Sequence, residues 1–162
     1  MTKKGKVILG GTFDILHRGH EALIAKAAAE GDLIILGLTS DDMAARSREH
    51  AINKLDARKA ALDRYFSDQR FGGKVVVITD EFGRTAEGAG AIEDKGPFNG
   101  IVVSPGSRRN AEKINEMRKA KGWPPIRIFE VPYVLAEDGQ PISSTRIRNG
   151  EIDRDGLVLK KK

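Results

Sequence analysis

The sequence contains no cysteine among its 162 residues. Disulfides, thiolate catalysis and cysteine-ligated zinc are therefore excluded, and the composition suits a reducing compartment. The strongest apolar run, residues 33–38, is far too short to cross a bilayer, and no signal peptide or transmembrane helix is recognisable. We therefore expect a cytoplasmic protein that does not associate with membranes.

Aromatic residues are also scarce. The chain has six phenylalanines, two tyrosines and one tryptophan, and they do not alternate with the basic residues. A stacking platform for single-stranded nucleic acid is therefore not expected. The net charge is nevertheless +5, from 28 basic and 23 acidic residues, and part of the excess lies in Lys160–Lys162. This charge suits a small phosphorylated ligand as well as nucleic acid, and we favour the small ligand as partner.

Short apolar runs alternate along the chain with segments of helical periodicity. Uninterrupted apolar runs predict strands that are buried on both faces, and this alternation is typical of a parallel sheet. The predicted strands are 7–9, 33–38, 74–78, 101–103 and 126–131, and the longer predicted helices are 21–30, 56–68 and 107–121. We predict one Rossmann-like α/β domain over residues 1–162, with a five-stranded parallel sheet, helices on both faces and a basic tail from about 157 to 162.

Two further local predictions accompany this fold. Asp56 is the expected N-cap of the second long helix, because aspartate is a favoured capping residue. Residues 80–99 show no regular pattern: they contain four glycines, with a fifth at Gly100, and five acidic side chains. We predict a mobile, solvated loop with a weak helical turn there.

The first strand runs into the glycine pair Gly10 and Gly11, and His17 and His20 follow where the first helix begins. Glycine lets the backbone approach a ligand closely, and a helix start offers N–H groups and partial positive charge to an anion. The imidazoles add donors that can carry charge. The stretch therefore predicts a phosphate site, although it is neither a Walker A loop nor a dinucleotide fingerprint.

A second candidate segment opens a short helix late in the chain. Ser143, Ser144 and Thr145 are followed by Arg146 and Arg148, and hydroxyl and guanidinium groups together suit a phosphate clamp. Such a helix start is by itself more often only a cap. Ligands of parallel sheets bind at the carboxyl ends of the strands, so two helix starts at that edge would converge on one polyphosphate.

The remaining candidates are cations and one carboxylate. Arg46 and Arg48 follow the second strand, where a solvated cluster and a substrate-phosphate site are equally compatible with the sequence. Arg108 and Arg109 open a helix, where cations are unfavourable for stability, and this favours anion binding. Asp14 suits a turn cap or a metal ligand, and we favour the structural role. His17 and His20 lack a third ligand at suitable spacing for zinc.

Two motifs resemble signatures of the nucleotidyltransferase superfamily. They are Gly11-Thr12-Phe13-Asp14-x-x-His17-x-Gly19-His20 and Ile142-Ser143-Ser144-Thr145-x-Ile147-Arg148. Three further segments resemble the archaeal and eukaryotic type of phosphopantetheine adenylyltransferase: Ile101–Pro105, Lys113–Arg118 and Ile142–Gly156. The resemblance covers nearly the whole chain, from Lys6 to Gly156.

The resemblance implies transfer of AMP from ATP to 4′-phosphopantetheine, which gives dephospho-coenzyme A and pyrophosphate, with Mg²⁺ on the phosphates and no metal ligand from the protein. It implies that His17 and His20 are catalytic and that Arg46 or Arg48, and Arg108 or Arg109, hold the acceptor. The ATP-binding residues that it implies are Gly11, Thr12, Phe13, His17, His20, Ser143, Ser144, Thr145 and Arg148.

Two alternative functions stay open at this point. Another small nucleotidyltransferase, with a nicotinamide mononucleotide, flavin or glycerol phosphate acceptor, would use the same first motif. A non-catalytic nucleotide or nucleic-acid binder would fit the basic charge, but the cations fall near helix starts rather than in one stripe. The sequence gives no indication of the oligomeric state.

Overall fold

A computed structural model describes residues 5–46 and 51–160. Its centre is one parallel sheet in the order β3-β2-β1-β4-β5. The strands are β1 (Lys6–Gly11), β2 (Leu33–Thr39), β3 (Gly73–Ile78), β4 (Phe98–Val103) and β5 (Ile128–Glu130). The strand order reverses at β1, so the switch point at which such sheets bind ligands lies between β1 and β4.

Helices cover both faces of this sheet, as predicted. They are α1 (Arg18–Glu30), α2 (Asp41–Arg46), α3 (Leu55–Gln69), α4 (Arg108–Ala120) and α5 (Ser144–Arg148). Alternate residues of β1 point to opposite faces, because side chains alternate along a strand. Val7 and Leu9 belong to the core beneath α1 and α3, whereas Ile8 packs against the core beneath α4.

Two helix starts differ from the prediction for a physical reason. Helix α1 begins at Arg18, three residues before the predicted start, because the side chain of His17 caps it. The prediction that Asp56 caps α3 is wrong: the N-cap residue is Lys54, and the carboxylate of Asp41 accepts the hydrogen bond of the Leu55 amide at 2.8 Å. The cap of α3 is therefore supplied from another element.

The segment between β3 and β4 is better anchored than its sequence indicates. The carboxylate of Glu93 accepts hydrogen bonds from the amides of Thr85 (2.7 Å) and Gly90 (3.2 Å). The guanidinium of Arg118, on α4, donates to the carbonyl groups of Ala91, Asp94 and Lys95. Ala91 and Ile92 are buried. The segment is a loop of turns, as predicted, but it is partly buried, so the expectation of a loop that is solvated throughout is wrong.

The region after α5 is also part of the packed structure. Ile152 is completely buried with Ala136 and Ile142, and it forms an isolated antiparallel bridge with Val158. The predicted basic tail therefore begins with residues that fold back beside α5, and its last two residues lie outside the described part. Within the described ranges, no helix is both long enough and apolar enough to cross a membrane.

Candidate active site

A cleft of about 560 Å³ lies at the carboxyl ends of the central strands. The loop after β1, the start of α1 and the residues that open α5 form one side, and the segment 80–91 and the start of α4 form the other. Seven of the predicted site residues line it: Gly11, Thr12, Phe13, His17, His20, Ser143 and Ser144. The structure therefore brings together two motifs that are more than 120 residues apart in the sequence.

The turn after β1 is shaped by the ring of Phe13. Phe13 has a φ of +47°, in the left-handed region that non-glycine residues seldom adopt. A Cβ on Gly11 would lie 3.0 Å from this ring, which leaves no comfortable room for a side chain there. The Thr12 hydroxyl accepts a hydrogen bond from the Thr39 hydroxyl at 3.1 Å. Backbone and side chain of the turn are thus both fixed before any ligand arrives.

His17 is the N-cap of α1. Its Nδ1 atom accepts hydrogen bonds from the amides of Gly19 (3.0 Å) and His20 (3.4 Å). Burial, with a smaller contribution from the positive charge of Arg154, lowers the pKa of His17 from 6.5 to about 4. The imidazole is therefore neutral near pH 7, and because Nδ1 accepts, the ring proton is assigned to Nε2. His17 offers a neutral donor at the start of a helix.

His20 is in contact with two other rings. Its ring stacks on that of His17 with centroids 3.8 Å apart and an interplanar angle of 20°, and Phe13 lies 4.8 Å away on centroids. Both histidines line the cleft. This packing limits the orientations of the His20 imidazole, so a donor or acceptor on that ring has a defined direction.

Gly19 leaves the space that this stack needs. A Cβ at Gly19 would lie 2.8 Å from Cε1 and 3.0 Å from Nδ1 of His17. The His17 ring cannot move away without losing the hydrogen bonds that cap α1 and its stacking on His20. Packing thus explains the spacing of the motif. Because Gly19 has no side chain, the His17 ring can lie over the start of α1 and stack on the His20 ring.

Asp14 and Ser144 join α5 to the loop after β1. The carboxylate of Asp14 accepts hydrogen bonds from Nε (2.9 Å) and Nη2 (2.8 Å) of Arg148. The Ser144 hydroxyl donates to the carbonyl of Ile15 and accepts from its amide, both at 3.1 Å. The hydrogen bonds from Arg148 give Asp14 a structural role, as the sequence analysis favoured. They dock α5 on the loop after β1.

The predicted guanidinium clamp takes a different form in the structure. Arg148 pairs with Asp14, which raises the pKa of Arg148 above its ordinary value. Arg146 is bound by the carboxylates of Asp138 and Glu151, away from the cleft. Ser143 accepts a hydrogen bond from the Arg146 amide as the cap of α5, and Thr145 is not among the residues that line the cleft. Phosphate binding by Thr145 and Arg148 stays a prediction.

The predicted acceptor cations are not gathered at the cleft. Arg108 and Arg109 are exposed at the start of α4, and Arg108 lies 3.6 Å from Glu112 and 3.7 Å from Glu130. Arg46 is exposed at the end of α2, and Arg48 lies outside the described residues. None of the three described arginines lines the cleft. Substrate binding by these cations stays a prediction that the cleft geometry does not support.

Sequence reasoning missed the polar residues on the opposite wall and one buried arginine. Asp80, Glu81, Thr85 and Asn110 line the cleft, and the Asn110 side chain donates to the Glu81 carbonyl. Arg58, on α3, is only 1% exposed. The available signal was its spacing: Arg58 precedes Leu62 by four residues and so lies on the apolar face of that helix. In the described ranges, no group of three or more His, Asp or Glu side chains is arranged to hold a metal ion.

The lowered pKa of His17 leads to a prediction of how the free energy of unfolding depends on pH. Between about pH 6.5 and pH 4 the unfolded chain binds a proton at this position and the folded chain does not, so stability falls as the pH falls through that window. The full loss from this one group is about 3 kcal/mol. Urea unfolding of the wild type at neutral pH and near the lower end of the window measures it.

The matched variant for this measurement is His17→Asn, which keeps a capping acceptor and removes the titrating group. We expect its stability to change much less with pH in the same window. Partner groups lower the pKa values of four carboxylates, so these also lose stabilising effect near the lower end of the window, where the unfolded chain begins to protonate them, but they do so equally in both proteins: Asp41, Asp80, Asp94 and Asp138. Equal pH dependence in the two proteins would show that His17 is not held neutral.

Comparison with known proteins agrees with this geometry. A cleft at the switch point of a parallel sheet, lined by a capping histidine and a second histidine stacked on it, is the arrangement of an α/β protein that binds its ligand at the carboxyl ends of its strands. Residues 8–150 match the cytidylyltransferase-like family. The chain belongs to that family, within the group of archaeal phosphopantetheine adenylyltransferases that resemble it along most of their length.

Three relatives illustrate the extent of the likeness. The phosphopantetheine adenylyltransferase of Methanosarcina acetivorans is 45% identical over 94% of this chain and 95% of its own length. That of Archaeoglobus fulgidus is 41% identical over 95% of this chain and 99% of its own. A bifunctional phosphopantetheine adenylyltransferase/NTP phosphatase of Thermoplasma volcanium is 41% identical, and this chain spans 44% of its length. The resemblance inferred from the motifs is confirmed.

Solved structures support the same fold. A protein of unknown function from Archaeoglobus fulgidus superposes with a TM-score of 0.67 and 36% identity, over 78% of this chain and 88% of that one. The pantoate-beta-alanine ligase of Francisella tularensis superposes with a TM-score of 0.55 and 17% identity, over 92% and 67% of the two chains. At that identity, the second match bears on the fold alone.

Proposed function

We propose that this protein transfers AMP from ATP to 4′-phosphopantetheine and releases pyrophosphate, which makes dephospho-coenzyme A. The observation that carries the proposal is the match, over nearly the full length of both chains, to relatives that bear the name phosphopantetheine adenylyltransferase. The stacked histidines at the start of α1 support the same chemistry, because they offer directed donors beside the phosphate-binding turn.

The reaction is a displacement at phosphorus. An oxygen of the acceptor phosphate forms a bond to the α-phosphorus of ATP, and the bond from that phosphorus to the bridging oxygen of pyrophosphate breaks. The electron pair of the broken bond leaves with pyrophosphate, so no covalent enzyme intermediate is needed. The work of the protein is to align the two phosphates and to stabilise the charge that develops between them.

Each wall of the cleft has a proposed part in this reaction. The backbone of Gly11–Phe13 and the imidazole of His20 would meet the α-phosphate, and His17 would meet the neighbouring phosphates. Ser143 and the residues that open α5 would bind the β- and γ-phosphates. His17 suits a donor role near neutral pH, because its depressed pKa keeps it neutral with the proton on Nε2.

The acceptor would occupy the other end of the cleft. Asp80, Glu81 and Thr85 line that end together with Asn110 on α4. These side chains are polar but include no cation, which suits an acceptor arm rich in amide groups better than a second phosphate. We therefore favour this end of the cleft for the acceptor arm over a site at Arg46, Arg108 or Arg109, which do not line the cleft.

Mg²⁺ is the proposed cofactor, bound with ATP. The side chains present fit a metal that arrives on the triphosphate, because the Asp14 carboxylate beside the phosphate-binding turn is already occupied by Arg148. When bound, the ion would neutralise phosphate charge and polarise the reacting phosphoryl group. A cytoplasmic location is proposed with the same function, in agreement with the absence of cysteine.

The decisive test is product analysis by mass spectrometry. With ATP, Mg²⁺ and 4′-phosphopantetheine, we expect dephospho-coenzyme A and an equal amount of pyrophosphate. Nicotinamide mononucleotide, flavin mononucleotide and glycerol 3-phosphate, each supplied as the acceptor under the same conditions, should release little pyrophosphate. Chelation of the divalent cation should abolish turnover, and excess Mg²⁺ should restore it. Faster turnover with another acceptor would replace the proposed substrate.

A further inference from the structure

Arg58 is a charged side chain in the interior that the proposed chemistry does not use. It lies on the first turn of α3, its residue is 1% exposed, and its side chain has no exposed surface. Burying an arginine is costly unless its donors are satisfied. A buried cation in this position is therefore expected to hold backbone carbonyl groups in place by hydrogen bonds, which an apolar side chain could not do.

The contacts of Arg58 converge on the phosphate-binding turn. Nη1 donates to the carbonyl of Thr12 at 3.0 Å and to the carbonyl of Thr39 at 2.8 Å. Nε donates to the carbonyl of Asn53 at 2.7 Å, and Nη2 lies 3.1 Å from the carboxylate of Asp41. One planar group thus joins the turn after β1, the end of β2 and the residues before α3.

The network continues from Asn53 to the opposite wall. The Asn53 amide donates to the Asp14 carboxylate at 2.8 Å, and its side chain donates to the Asp14 carbonyl at 3.0 Å. Asp14 in turn binds Arg148 of α5. A continuous chain of hydrogen bonds therefore runs from Arg58 beneath Thr12–Asp14 to α5, and Thr12 and Asp14 both line the cleft.

We infer that Arg58 is a positioning residue for the nucleotide half of the site: by holding the Thr12 carbonyl and, through Asn53, Asp14, it sets the direction of the backbone that faces the α-phosphate. The inference rests on the proposed function for its catalytic consequence. Its geometric part does not, because the contacts of Arg58 exist whatever the acceptor is. Arg58 itself does not line the cleft and touches no substrate.

Arg118 provides a matched control for this inference. Like Arg58, it is almost completely buried, with 2% of its surface exposed. Its guanidinium donates hydrogen bonds to the carbonyl groups of four residues: Ala91, Asp94, Lys95 and Pro124. These carbonyl groups belong to the segment after β3 and to the loop after α4, on the far side of the cleft from the nucleotide-binding turn. Both arginines contribute to stability, but only Arg58 contacts that turn.

The test compares Arg58→Lys with Arg118→Lys. Lysine keeps the charge but cannot donate to several carbonyl groups in a fixed plane. At a temperature where both variants are folded, we expect Arg58→Lys to weaken binding of a non-hydrolysable ATP analogue several-fold and to lower kcat on the order of 100-fold, as for a reacting group displaced by about 1 Å. Arg118→Lys should bind the analogue as the wild type does. Calorimetric titration and initial rates measure these effects.

Hydrogen exchange gives a readout that does not depend on catalysis. In Arg58→Lys, the amides of residues 11–15 should exchange at least several-fold faster than in the wild type, and in Arg118→Lys they should be unchanged. If Arg58→Lys does not fold, Asp41→Ala removes one partner of the same guanidinium from a half-exposed position and should produce a smaller change of the same sign.

The outcomes separate the two proposals. Equal losses of stability in both lysine variants, with unchanged analogue affinity and unchanged exchange at residues 11–15, would overturn the positioning role and leave Arg58 a structural residue. A wild type that makes no dephospho-coenzyme A, while exchange at residues 11–15 still accelerates only in Arg58→Lys, would overturn the proposed function and support the positioning of the turn by Arg58.

Discussion

Replacing His20 by alanine is expected to lower turnover by about 10²–10³-fold, which corresponds to about 2.7–4 kcal/mol for one preorganised donor directed at developing charge. The structural reason is the fixed position of the ring, which is stacked on His17, packs against the tilted ring of Phe13 and lines the cleft. The capping hydrogen bonds of α1 come from His17, so the helix start should persist in the variant. Steady-state release of pyrophosphate measures the loss.

The control for this variant is Lys26→Ala, on the same helix. The Lys26 ammonium forms a partly exposed ion pair with Glu30 at 2.9 Å and does not line the cleft. Surface ion pairs of this kind contribute about 1 kcal/mol or less, so turnover should stay close to that of the wild type. A folded His20→Ala protein with unaltered turnover would remove His20 from the catalytic assignment.

Gly19→Ala is expected to be nearly as damaging to turnover although it changes no functional group. The added Cβ would lie 2.8 Å from Cε1 of His17, so the ring must be displaced from its place over the helix start. Displacement of His17 releases the stack that orients His20. We expect a loss of turnover on the order of 100-fold, as for a misplacement of about 1 Å at the reacting groups.

Stability distinguishes this effect from simple unfolding. Glycine to alanine stabilises an exposed helix interior by about 1 kcal/mol; Gly19 lies half-buried in the first turn of α1, so its smaller gain would offset only part of the cost of moving the His17 ring. The reverse substitution Ala25→Gly, at an exposed position of α1, should cost about 1 kcal/mol of stability with turnover unchanged. If Gly19→Ala kept wild-type turnover, the motif glycine would not be explained by the space that it leaves for His17.

Much of the fold could be predicted because it depends on local patterns. The apolar runs that become β1–β5 have the continuous character that a strand buried on both faces requires, and all five were located from it. The boundaries were less accurate where a distant group defines the end of an element. The start of α3 is an example, since its first amide is bound by Asp41 rather than by the predicted Asp56.

The site was predictable in its residue types but not in its contacts. Gly11, His17, His20 and Ser144 were located from spacing and motif, and all line the cleft. The partner of Arg148 was not, because Asp14 is 134 residues away and no periodicity connects them. The role of Arg58 could not be predicted for a related reason. The function of a cation on an apolar helix face can be inferred only once the carbonyl groups that it contacts are known.

What the sequence determined by itself is the parallel α/β architecture, the glycine-containing turn with its two histidines, and the family to which the chain belongs. These follow from the order of residues along short segments, where hydrophobic period and motif spacing have direct physical meaning. Only the tertiary structure decided that His17 is a neutral helix cap, that Asp14 and Ser144 join α5 to the loop after β1, and that Arg46, Arg108 and Arg109 do not line the cleft. Each of those outcomes depends on burial and on partners from distant segments, and the free energy of a buried polar group is set by those partners rather than by its neighbours in the chain.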